Sequence, residues 1–96
     1  MDSLQIVAEP RRREILRLVW DRELAAGEIA AKFDLTFGAV SQHLGVLRKA
    51  GLVSMRKEGN HRFYRADLDT TSPLRATLEA MWESTLDRLV RAIEET

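Results

Sequence analysis

Residues 36–65 read TFGAVSQHLGVLRKAGLVSMRKEGNHRFYR, and two periodicities meet inside them. From Thr36 to Lys49 the apolar positions Val40, Leu44 and Leu47 recur at helical spacing. Thr36 is a good N-cap, because its hydroxyl can accept a first-turn N–H. Gly51 stands where a left-handed glycine ends a helix, and Lys49 suits the negative end of the helix dipole. Beyond Gly51 the period shortens. Leu52–Lys57 and His61–Ala66 read as strands, joined by Gly59-Asn60 as a two-residue hairpin turn whose glycine takes the positive φ. A helix of ~10 Å diameter fits the major groove of DNA, and a basic hairpin beside it reaches neighbouring phosphates.

Charge is gathered in the same stretch. Arg48, Lys49, Arg56, Lys57, Arg62 and Arg65 face one acid, Glu58, for a local balance of +5 in a chain whose net charge is zero. Residues 1–35 carry −1 and residues 66–96 carry −4. A neutral total argues against indiscriminate polyanion binding, while a concentrated positive pole suits one DNA-binding face.

Outward from this stretch the pattern is helical. Ser3 is placed to cap a short helix through about Ala8, with Leu4, Ile6 and Val7 on its apolar side. Pro10 then opens a second helix to about Trp20, using Ile15, Leu18 and Val19. Arg11, Arg12 and Arg13 in its first turn have two readings: a solvated turn beside Glu9 and Glu14, or a site for an acidic partner or phosphate. Gly27 opens a third helix, with Ile29, Ala30 and Phe33 inward, Glu28 and Lys32 at i, i+4, and Asp34-Leu35 as the turn before Thr36. Ser72-Pro73 starts a last helix predicted to reach about Glu95, roughly 33 Å long. Leu78, Trp82, Thr85, Leu89 and Ile93 fall on its stripe, widened by Leu74, Met81, Leu86 and Val90. That stripe is wide for one small domain and favours a two-fold interface.

The order is mainly α with a small β-hairpin, α-α-α-α-β-β-α, a winged helix-turn-helix in one domain over residues 1–96. The helix-turn-helix occupies 26–51 and the wing 52–66. No run approaches the ~18 apolar residues of a membrane span, and the start of the chain, MDSLQIVAEPRRR, puts its arginines after the apolar stretch, the reverse of a secretory signal. There is no cysteine, hence no disulfide framework, thiolate metal site or cysteine nucleophile. The two histidines are 18 residues apart, and no glycine-rich phosphate loop is present. Enzymatic readings therefore fail, no cofactor is expected, and a cytoplasmic location fits.

Four ordered blocks carry a family resemblance. Glu9-Pro10-Arg11-Arg12-Arg13-Glu14-Ile15-Leu16, Gly27-Glu28-Ile29-Ala30, Val40-Ser41-Gln42-His43-Leu44 and Leu47-Arg48-Lys49-Ala50-Gly51-Leu52-Val53 resemble the ArsR-type repressors, as does the wing from Arg56-Lys57-Glu58-Gly59 to Phe63-Tyr64-Arg65. The resemblance implies a homodimeric bacterial repressor that binds double-stranded DNA at an operator of two half-sites. In such proteins the first and last helices, here 1–9 and 73–95, build the dimer interface. The fourth helix reads the operator and the wing grips the flanking backbone. Family metal sensors carry a cysteine motif on the third helix or carboxylate and histidine ligands on the last. Here Glu23-Leu24-Ala25-Ala26-Gly27-Glu28 has no cysteine, and the last helix has Asp87 and glutamates but no histidine. No metal response is expected, and the sequence identifies no small-molecule inducer.

The DNA-binding residues follow from both readings. Thr36, Phe37, Gly38, Ser41 and Gln42 lie off the apolar face of the fourth helix. Gln42 is its only amide, and an amide can bond adenine N6 and N7 together. Ser41 suits a base or a phosphate. His43 belongs to the family's Ser-x-His-Leu signature, which places it on the DNA face; the other reading is a half-buried, orienting histidine. Phe37 either packs inward or touches a thymine methyl, and Gly38 offers the groove nothing, so shape readout gains weight. Arg48, Arg56, Lys57, His61 and Arg62 are the backbone candidates. Phe63 and Tyr64 point to opposite faces of the hairpin. The dimer interface is assigned to Leu4, Ile6, Val7, Leu78, Met81, Trp82, Thr85, Leu89 and Ile93. The competing reading is a winged-helix module for protein contact, its basic wing binding an acidic partner.

Overall fold

The computed structural model describes residues 2–83, 89–90 and 92–94. Its elements run α1 (Ser3–Ala8), α2 (Pro10–Leu18), β1 (Leu24–Ala25), α3 (Ala26–Phe33), α4 (Phe37–Lys49), β2 (Val53–Glu58), β3 (His61–Ala66) and α5 (Pro73–Trp82). The order expected from sequence is present with one addition. β1 joins the hairpin to form an antiparallel sheet of order β1-β3-β2, with Leu24 opposite Tyr64 and Ala25 opposite Phe63.

The junctions explain the layout. Asp2, rather than Ser3, caps α1, its Oδ1 accepting the Gln5 N–H at 2.9 Å. Glu9 is extended and caps α2, accepting the Arg12 N–H at 3.0 Å, and Pro10 fills the first helical position where no N–H is needed. Arg13 reaches back to the Val7 and Ala8 carbonyls at 2.9 and 3.3 Å, and Arg11 pairs with Glu14 at 3.2 Å. Two of the three clustered arginines thus have partners within the chain. Glu28 turns back so that Oε1 accepts the Ala25 N–H at the start of α3. α3 ends at Asp34 in the left-handed conformation, φ 53°, a geometry asparagine and aspartate tolerate better than most residues.

At the far end of α4 the Gly51 N–H bonds the Arg48 carbonyl and the Leu52 N–H bonds the Leu47 carbonyl, both at 2.9 Å. With Gly51 at φ 78° this is a Schellman stop, and it turns the chain directly into β2. The hairpin closes as expected, Glu58 opposite His61, with Gly59 at φ 61°.

The core lies where α2, α3, α4 and the inner sheet face meet. Ile15, Leu16, Val19, Ile29, Val40, Leu44 and Leu47 have no exposed surface. Burying each such aliphatic side chain contributes about 1.5–3 kcal/mol. Tyr64 is the core member of the Phe63-Tyr64 pair.

Three residues assigned to the dimer interface are buried in the core of the single chain. Ile6, Val7 and Leu78 keep only 3%, 6% and 1% of their surface. α1 and α5 thus turn these apolar positions toward their own domain. Trp82 is half-buried against Trp20, ring centroids 4.8 Å apart and nearly perpendicular. Trp20 Nε1 donates to Glu79 at 3.3 Å and the Arg75 guanidinium lies over its ring at 4.8 Å, which fastens α5 to the end of α2. Leu4, Met81, Leu89, Val90 and Ile93 are exposed. Residues 89–90 and 92–94 are helical; Thr85, Leu86 and the predicted continuity across 84–88 lie outside the described residues.

Candidate nucleic-acid interface

α4 owes its placement to three buried side chains one and two turns apart. With Val40, Leu44 and Leu47 fixed in the core, Phe37, Gly38, Gln42, Gly45, Arg48 and Lys49 are left exposed and Ser41 half-exposed. Thr36 is held as the cap, its Oγ1 accepting the Ala39 N–H at 3.1 Å. A side chain placed at Gly38 or Gly45 would meet nothing within 4 Å. These glycines are not demanded by close packing; they leave the outer face of α4 bare.

Phe37, Ser41, Gly45 and Arg48 form one wall of a trough of about 800 Å³. The opposite wall is the wing, Asn60 to Tyr64, and the floor is the start of α3, from Ala25 to Glu28. The trough therefore brings together Phe37, Ser41, Arg48, His61 and Arg62 from the sequence-assigned set. The α3 start and Asn60 were not in that set. Their sequence signal, a glycine beside a helix start and a turn tip, is too common to single them out.

The sheet register divides the wing candidates. Lys57 lies opposite Arg62, and Arg56 opposite Phe63, on alternate faces. Arg56 is engaged within the chain. Its Nε and Nη2 bond Glu23 at 3.0 Å, its Nη1 bonds Glu58 at 2.6 Å, and its guanidinium lies 4.9 Å from the centre of the Phe63 ring. Hydrogen bonding to Arg56 holds the Glu23 carboxyl below the usual range, and the two carboxylates raise Arg56 further above its own. Arg56 is a tie between the wing and the loop before β1. Sequence reading missed Glu23 because 33 residues separate it from Arg56. Arg48, Lys49, Lys57 and Arg62 have no carboxylate partner among the described residues.

His43 sits between the two roles the sequence allowed. It is half-buried on the α2 side of α4, its Nδ1 3.8 Å from Glu9 Oε2. Burial alone would raise the Glu9 carboxyl. The Arg12 and Arg11 backbone N–H groups, with the charges of His43 and Arg12, bring it below the usual range. Among the described residues no three histidine, aspartate or glutamate side chains gather as a metal-binding group. Asp87 lies outside them. No described helix is long and apolar enough to cross a membrane.

Known proteins sort this geometry. The sequence profile of bacterial regulatory proteins of the arsR family matches residues 9–55, from the α2 cap through α4 into β2. The Biofilm growth-associated repressor of Agrobacterium fabrum is 37% identical over 79 residues, 82% of this chain and 68% of that protein.

The chain belongs to the ArsR family.

The transcriptional activator HlyU of Vibrio cholerae is 44% identical over 61 residues, 64% of this ArsR-family chain, which spans 56% of HlyU. Two solved structures repeat the fold. One, a possible transcriptional regulator for arsenical resistance, has TM-score 0.72 at 42% identity, the match covering 96% of each chain. The other is a homodimeric winged helix-turn-helix DNA-binding domain from Mycobacterium bovis. Its TM-score is 0.72 at 28% identity, covering 88% of this chain and 78% of that one. The ArsR family and these relatives are transcriptional regulators, not enzymes.

Proposed function

We propose that this ArsR-family chain is a dimeric, sequence-specific DNA-binding regulator that represses by occluding a promoter, without a metal ion as its signal. The observation that carries the reading is the trough itself. An exposed helix face and a wing flank a channel, and on both walls stand cations without carboxylate partners among the described residues, in a protein of zero net charge. Phosphate contacts from Arg48, Lys57 and Arg62 would position the duplex, while Ser41 and Gln42 near the start of α4 carry base information. Thr36 is a cap that also lies beside the approaching backbone, and His61 borders the trough. His43 acts through Glu9 to set the angle of α4 against α2.

The dimer assignment narrows to the exposed apolar residues Leu4, Met81, Leu89, Val90 and Ile93. The homodimeric neighbour supports it. A two-fold dimer meets half-sites ~10–10.5 bp apart, or a multiple of that. Repression is supported by the repressor among the relatives.

The test is fluorescence anisotropy with the DNA immediately upstream of the protein's own gene and with a scrambled duplex of equal composition. Tighter binding to the former, at two chains per duplex, is the expected result. Equal affinity for both would remove the specificity, and absence of binding to either would remove the DNA reading. Gln42→Ala should lose ~1–3 kcal/mol of preference at one base position per half-site.

A further inference from the structure

The one large apolar side chain that α4 holds out to solvent is Phe37, 63% exposed at the first helical position. Its exposure is unusual for a residue that can turn inward at a helix start. Thr36 fixes that start in an extended conformation, φ −70° and ψ 154°, with its hydroxyl tied to the Ala39 N–H. The ring makes no aromatic or cation contact among the described residues. It stands on the same stripe as Ser41 and Arg48 and lines the same trough. Gly38 beside it and Gly45 two turns on have no side chain, so nothing holds the ring away from a surface that α4 meets.

We propose that Phe37 is a specificity-determining residue that reads the thymine C5-methyl group at one position of each half-site. This rests on the DNA-binding reading above. The floor of the major groove is mostly hydrogen-bond donors and acceptors; its apolar group is the thymine methyl. A phenyl ring has no donor or acceptor, so it discriminates by covering that methyl. The N-terminal residues of a recognition helix are those that reach base edges. The bare glycines let this end of α4 seat closely enough for contact.

The experiment starts from duplexes enriched by the wild-type protein out of a randomised library. The enriched motif should hold thymine at two symmetry-related positions. Replacing those thymines with deoxyuridine removes only the methyl groups. Wild-type affinity should fall about fourfold for each replaced site, the weight of one buried methyl group, and about fifteenfold for both. Phe37→Ala should bind thymine and deoxyuridine duplexes equally, and Phe37→Leu should retain part of the discrimination. Because Phe37 is exposed, these variants are expected to fold, which thermal melting checks. If deoxyuridine is tolerated by the wild type, or if Phe37→Ala still responds to the methyl, the inference fails while the DNA reading stands. If no motif is enriched, the DNA reading fails first and takes this inference with it.

Discussion

Arg56 and Arg62 are alike in sequence, two basic residues in one hairpin, but the structure gives them opposite electrostatic situations, and salt dependence separates them. A cation that neutralises a phosphate releases counterions, and log K falls against log salt with a slope of about −0.9 per phosphate engaged. Arg48, Lys49, Lys57 and Arg62 lack carboxylate partners among the described residues, whereas Arg56 is held by Glu23 and Glu58. Of these, Arg48, Lys57 and Arg62 are the proposed phosphate contacts; three per chain make six in a dimer, for a limiting slope of about −5. Arg62→Ala removes one from each chain and should make the slope shallower by about 1.8. Between 50 and 200 mM salt the variant should then lose roughly tenfold less affinity than the wild type. Arg56→Ala should weaken binding by loosening the wing, yet leave the slope within about 0.5 unit of wild type. Anisotropy titrations at five salt concentrations provide the measurement. Equal slope changes for both variants would refute the reasoning, because Arg56 would then have exchanged its carboxylates for phosphate on binding.

Other outcomes follow from the same geometry. Leu44→Ala should cost about 3 kcal/mol and lower Tm by roughly 15 °C in a circular-dichroism melt, since Leu44 is fully buried under α4; a loss under 1 kcal/mol would mean the site collapses freely. Leu4→Asp with Ile93→Asp should yield monomers in analytical ultracentrifugation, because both residues are more than two-thirds exposed in the single chain. A persistent dimer would place the interface elsewhere. The Glu9 carboxyl lies below its ordinary range when folded, so its contribution is present above the unfolded-state pKa of about 4.3 and is lost as pH falls through the folded value. The stability gap between wild type and Glu9→Gln should therefore be constant near neutrality and close progressively below about pH 4. A gap that widens on acidification would reverse the assigned direction.

What could be read from sequence was whatever the chain settles locally. α4 announced its cap, its three core positions and its glycine stop within sixteen residues, from Thr36 to Gly51, and the structure has all of them. β1 gave no such signal. It is two residues long, and its identity as a strand comes from Tyr64 and Phe63, some forty positions away. The tie from Arg56 to Glu23 depends on that same pairing. Ile6, Val7 and Leu78 show a different limit: helical periodicity identifies the apolar side of a helix, but not whether its own domain or a mate covers it. At His43 the sequence left two roles, and only the packing of α2 on α4 brings Glu9 beside it.

β3 has a neighbour on each side, β2 as the rest of the wing and β1 as the lead into α3. The start of the helix-turn-helix and the wing are therefore stitched along one strand, and Arg56 adds a second stitch at the wing's outer face. Such a reading head behaves as a two-pronged fork cast in one piece. Its prongs cannot be opened independently without unzipping a shared strand. In the proposed DNA-bound dimer, a signal that relieved binding would therefore find little leverage within a head. Its leverage would lie in the distance and tilt between the two heads, where a small rotation moves both forks out of phase with successive turns of the duplex.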